Sequence, residues 1–167
     1  MNKLSILSII LFFIIFSSPV HATESPSTIL AVYMIGSDLE YDPQLTPEEN
    51  AQIKESATKD IREMVLGWGD GSDNLEVIIA YGGSQKEGWE GMTVATLDNL
   101  KKDLDNDNIG DSEDSYLGWE DVSMCSEDGL SLFLSLIQKN YPDSRVIMIF
   151  WDHGFAYQGF GRDDNYP

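Results

Sequence analysis

Arg145-Val146-Ile147-Met148-Ile149-Phe150-Trp151-Asp152-His153-Gly154 is the stretch on which the reading of the fold turns. Val146–Phe150 is a run of large apolar residues with the length and composition of a strand buried on both faces, as in a parallel sheet. The run stops at a Trp, an acid, an imidazole and a glycine. In open α/β sheets the carboxyl ends of the strands form the crevice where ligands and catalytic groups gather. The other histidine, His21, lies in a leader-like segment, so His153 is the first candidate for base chemistry near neutral pH.

That segment, residues 1–22, reads as a secretory signal peptide: Lys3, then an apolar stretch from Leu4 to Phe16, then a small-residue cleavage site at Val20-His21-Ala22. The apolar stretch is short for a membrane span, so no membrane association is expected after cleavage. The expected location is secreted, either periplasmic or extracellular. About 145 residues remain, enough for one domain with a real core. The net charge of −19 argues against nucleic acid and anionic membranes as partners. Cys125 is the only cysteine, which rules out an internal disulfide, and zinc sites built on several His or Cys ligands are excluded by count.

Upstream of the quoted stretch, Ile29–Ile35 is a second apolar run closed by Gly36-Ser37-Asp38, and reads as the first strand. Thr46-Pro47-Glu48-Glu49 combines an N-cap, a proline at the first helical position and a capping-box glutamate. The helix it opens is expected to carry Ile53, Ala57, Ile61, Met64 and Val65 on one face and to end near Gly67. Leu75–Tyr81 reads as a strand, and Met92–Leu97 as a weaker one at an edge or in a hairpin. Ser126 caps a helix with Leu130, Phe133, Leu134 and Ile137 on its buried stripe, ended by Tyr141-Pro142-Asp143. Strands alternating with helices predict an α/β fold with a parallel sheet and right-handed crossovers. Three to four strands make a thin sheet, and residues 23–167 read as the N-terminal portion of a larger domain.

Two constellations carry candidate chemistry. A histidine just past a strand end, with a glycine behind it, suits a peptidase: the imidazole takes a proton from a nucleophile and the Gly154 amide helps to hold the oxyanion. It also suits a loop histidine that merely bonds its neighbours. Asp152 is a candidate to orient the ring, although adjacent residues at a strand end often point apart. The second constellation is acidic. Asp103, Asp105, Asp107, Asp111 and Asp114 fall at positions 1, 3, 5, 9 and 12 of a twelve-residue loop, the spacing by which an EF-hand wraps Ca2+. Asn108 replaces the usual glycine, Asp114 is shorter than the usual Glu, and no clear pair of flanking helices is visible. A solvated acidic surface loop is the alternative.

Trp151-Asp152-His153-Gly154 after an apolar strand resembles the catalytic-histidine segment of the clostripain-like cysteine peptidases. Tyr33-Met34-Ile35-Gly36-Ser37-Asp38-Leu39-Glu40 is similar to that family's opening strand and acidic turn, and Ile61-Arg62-Glu63-Met64 to the helix that follows. The segment from Trp119 to Phe133 matches in spacing. The resemblance covers most of residues 29–164 and implies a three-layer caspase-like fold and a Cys-His dyad acting on peptide or protein substrates after Arg or Lys. His153 matches the family's histidine. Two departures stand out: Phe155-Ala156-Tyr157 follows where relatives carry further glycines, and the family's nucleophile lies downstream of the residues given. Cys125 precedes a helix N-terminus, which can lower a thiol pKa, but acids surround it and it comes before the histidine, in the wrong order. The reading from another class is an acidic calcium-binding exported module without catalysis.

Overall fold

The computed structural model describes residues 25–104, 117–155 and 159–166. The leader-like residues 1–22 therefore lie outside the described residues, as do Asp105, Asp107, Asp111 and Asp114 of the acidic run.

The strands are β1 (Thr28–Ile35), β2 (Leu75–Gly82), β3 (Met92–Thr96), β4 (Leu117–Trp119), β5 (Arg145–Trp151), β6 (Gly154–Phe155) and β7 (Gly159–Phe160). The helices are α1 (Ser37–Glu40), α2 (Pro47–Ile53), α3 (Ser56–Trp68), α4 (Leu97–Leu104) and α5 (Glu127–Asn140). One five-stranded sheet has the order β4-β3-β2-β1-β5, and β6 pairs with β7 in a separate two-stranded ribbon. Strands β2, β1 and β5 are mutually parallel, whereas β3 runs antiparallel to β2 and β4 antiparallel to β3. The sheet thus has one strand more than expected and a mixed far side. Met92–Thr96 takes the hairpin position foreseen for it, but β4, too short to show any periodicity, lies outside it.

Helices cover both faces, giving three layers. Ala57, Ile61 and Val65 of α3 join Leu97 and Leu100 of α4 against Val32, Met34, Val77 and Ile79. Phe133 and Ile137 of α5 pack on the other face against Ile29, Ala31, Tyr33 and Ile78. Because β1 alternates its side chains between these two layers, both sets are buried, which is why its sequence reads as an unbroken apolar run.

Two local expectations change. The helix opened by the Thr46 capping box, which is present as foreseen, stops at Ile53, and a new one starts at Ser56. The break lies at Glu55, which has φ 59° and gives its N–H to the Glu40 carbonyl (3.0 Å) instead of to a preceding helical turn. Ile53 is consequently exposed. The second change concerns β5, which is not buried on both faces: Val146, Ile147, Ile149 and Phe150 are 40 % to 48 % exposed. Among the described residues β5 pairs only with β1, so it forms an edge, and no helix lies over its outer side. A trough of about 430 Å³ opens there between β5 and α3, lined by Leu30, Val32, Met34, Met64, Ile149 and Trp151 with the acids Asp60 and Glu63.

Candidate active site

Parallel register sets the site. Met34 of β1 stands opposite Trp151 of β5, so the residues that leave the two strands, Gly36-Ser37-Asp38 and Asp152-His153, emerge side by side. From β1 the neighbours are reached in opposite directions, β2 on one side and β5 on the other. That is a topological switch point, where crossovers diverge and leave a crevice at the strand ends.

Gly36 is required at this turn, since a Cβ there would lie 2.9 Å from both the Glu40 Cβ and the Trp89 ring. The next residue, Ser37, is fully buried with φ 41°, an uncommon conformation for a residue with a side chain. Its carbonyl accepts from the Ser84 hydroxyl (2.9 Å), and its own hydroxyl donates to Asp152 Oδ1 (3.2 Å). The turn is thereby tied to both neighbouring strands.

The backbone of His153 is held on both sides. Its N–H donates to Asp152 Oδ1, and its carbonyl accepts from the Gly161 N–H (3.2 Å) at the base of the β6–β7 ribbon. Gly161 has φ 76°, and a Cβ there would meet Ile35 Cδ1 at 2.5 Å. Asp152 Oδ2 accepts from the Arg162 N–H (3.0 Å). Both oxygens of Asp152 thus accept from backbone N–H groups and from Ser37. The imidazole, 51 % exposed, has its Nε2 3.6 Å from Asp38 Oδ1. Asp38, singled out in sequence only as part of an acidic turn, is the acid that tertiary structure brings to the ring. Gly154 begins β6 directly behind it, opposite Phe160.

The segment after the ribbon crosses the strand ends. Asp163 is 2 % exposed, and its carboxylate accepts from the Met124 N–H (2.7 Å), the Ser123 hydroxyl (3.0 Å) and the Asn165 N–H (3.0 Å). Asp164 donates its N–H to the Gly83 carbonyl (3.2 Å), and its Oδ1 pairs with Arg162 Nε at 3.0 Å. Residues 161–166 are therefore a strap anchored across the strand ends. Burial pushes the Asp152 carboxyl above its ordinary range, against the pull of the Arg162 and His153 N–H groups, the Ser37 hydroxyl and the charge of His153. Burial also raises Asp164; Arg162 opposes this, and Asp38, Asp163 and Asp152 add to it.

Cys125 lies just before Ser126, which caps α5 by accepting from the Gly129 N–H (2.9 Å) as foreseen. The thiol is exposed at the same end of the sheet. Partial burial, then Asp163 and more weakly Asp152 and Asp164, push its pKa up. Of the acidic run, only Asp103 falls among the described residues, in the last turn of α4. Among the described residues no group of three or more His, Cys, Asp or Glu is disposed to hold a metal ion, and no helix is long and apolar enough to cross a membrane.

The model of the clostripain family matches residues 48–165. A search among curated proteins found no match. Among solved structures, a cysteine protease of B. fragilis is similar at 17% identity with a TM-score of 0.47, over 78% of this chain and 92% of that one.

Proposed function

Since the chain belongs to the clostripain family of cysteine peptidases, we propose that it is the histidine-bearing part of an exported endopeptidase that cleaves after Arg or Lys through a Cys-His dyad. The observation that carries this reading is the half-exposed imidazole of His153, emerging from a parallel strand at the switch point beside Asp38. His153 is the general base, taking the thiol proton and later returning it to the leaving amine. The Gly154 amide contributes to the oxyanion site. The nucleophile is carried by a segment beyond Pro167, a reading supported by the raised pKa of the Cys125 thiol. A preference for basic residues is supported by Asp38, Asp152 and Asp164, which gather negative charge at this end of the sheet. Export rests on residues 1–22 acting as a cleaved leader.

The test is expression of the reading frame through the codons after 167, assayed on peptides with Arg, Lys or Ala before the scissile bond. Cleavage after Arg and Lys is expected, lost in His153→Ala and kept in Cys125→Ala. The proposal fails if no cysteine lies within about 60 residues downstream, the room for one further strand–helix unit, or if Cys125→Ala abolishes activity.

The spacing of Asp103, Asp105, Asp107, Asp111 and Asp114 also supports Ca2+ as a ligand of that run. Calorimetric titration with calcium is expected to release or absorb heat, and Asp105→Asn with Asp107→Asn to abolish it. A flat trace for the unmodified chain removes calcium from the reading.

A further inference from the structure

A neutral imidazole carries one N–H and one lone pair, and which nitrogen holds the proton is set by what the other ring atoms face. For a general base this choice decides which nitrogen can accept a proton. We propose that Asp38 is the positioning residue of His153, favouring the proton on Nε2 so that Nδ1 presents its lone pair to the thiol. This rests on the assignment of His153 as general base. In the step it supports, the S–H bond breaks and an N–H bond forms at Nδ1. The imidazolium then has protons on both nitrogens, with Asp38 beside the Nε2 side.

The geometry favours this arrangement over one through Asp152. Asp38 Oδ1 is 3.6 Å from Nε2, an electrostatic contact, while the Asp152 oxygens are engaged by Ser37 Oγ, the His153 N–H and the Arg162 N–H. The backbone that carries the ring is held on both sides, because the N–H and carbonyl of His153 are both bonded. Asp38 is itself placed from two sides. Ser37 Oγ approaches its Oδ1 (3.5 Å) and Lys54 Nζ its Oδ2 (3.8 Å). Two residues further on, Glu40 anchors α1 in the core through Thr58 and Lys86. Of the other charges at this end, Arg162 and Asp164 pair with each other, and Asp163 is turned into the loop before α5. Asp38 is thus the carboxylate that, among the described residues, pairs with a ring nitrogen, while the charge of Asp152 acts on His153 from the adjacent position.

The test uses the chain labelled with ¹⁵N-histidine and needs no catalysis. The ring nitrogens of His153, identified by their loss in His153→Gln, are read by long-range ¹H–¹⁵N correlation at a pH above which they no longer shift. Imidazoles in water already lean toward Nε2–H, so the decisive quantity is the change in ratio. Asp38→Ala is expected to lower the ratio of Nε2–H to Nδ1–H by about threefold, the scale of an exposed electrostatic contact. Asp38→Asn, which keeps size and an acceptor but no charge, is expected to fall between and serves if the alanine variant does not fold. An unchanged ratio in the variants, or an excess of Nδ1–H in the unmodified chain, overturns the proposal. Because the readout is independent of turnover, failure of the peptidase assay and failure of this inference are separately visible.

Discussion

Lys86 Nζ lies 2.6 Å from Oε1 of Glu40, a carboxylate with no exposure to solvent. The same carboxylate accepts from the Thr58 N–H (2.9 Å) and hydroxyl, and Lys86 also reaches Glu55 (3.3 Å) and stands 5.8 Å from the centre of the Trp89 ring. The cluster joins α1, the start of α3 and the loop between β2 and β3, so the turn that bears Ser37 and Asp38 is fastened to the core. Removing one partner of such a pair strands a buried charge. Lys86→Met is expected to cost about 3 kcal/mol, and Lys86→Met with Glu40→Gln distinctly less. Urea unfolding of both variants checks the pair, and equal losses would show that the charge is not what matters.

An apolar residue of α5 and one of the edge strand β5 differ in what they contribute to stability. Phe133 is fully buried under the sheet, whereas Val146 lies on the open side of β5. Phe133→Ala is expected to lose about 3–5 kcal/mol, and Val146→Ala about 0.5–1 kcal/mol. Val146→Lys is expected to reduce aggregation, as charges do on exposed edges. Chemical denaturation and light scattering give the two measurements.

Glu76 supplies a pH dependence. Burial and then the charge of Asp98 push its carboxyl above the ordinary value, with partial relief from the Val77 N–H. Its buried Oε1 has no hydrogen-bond partner among the described residues. A raised carboxyl pKa in the folded state means that its stability contribution is complete below the unfolded value and lost as pH rises through the folded one. Glu76→Gln escapes that loss. Its Tm is expected to exceed that of the unmodified chain by more at about pH 7 than at about pH 4. Melting curves at the two pH values decide, and a constant gap would contradict the shift.

Cys125 combines an exposed thiol with a raised pKa, caused first by partial burial and then by Asp163. At about pH 7.5 its alkylation by iodoacetamide is expected to be at least about threefold slower than that of free cysteine, because the thiolate is the reactive form. Asp164→Asn is expected to speed it. A rate above that of free cysteine would mark the thiol as activated and reopen it as a nucleophile.

The local signals in the chain were sufficient for the elements that depend on nearest neighbours. The capping box at Thr46, the Ser126 cap and the apolar runs of β1, β2 and β5 are statements about a few consecutive residues, and each stands where it was read. The position of His153 past the end of β5 was legible for the same reason. Long-range contacts were not. The break at Glu55 follows from a bond to Glu40, and the exposure of β5 from its place at the sheet edge. The choice of Asp38 over Asp152 beside the imidazole follows from the parallel register of β1 and β5 and from backbone N–H groups that occupy the nearer acid. The acid paired with the ring comes from α1, the turn that follows β1, because neighbouring side chains at a strand end diverge, whereas the segments leaving two adjacent parallel strands emerge side by side.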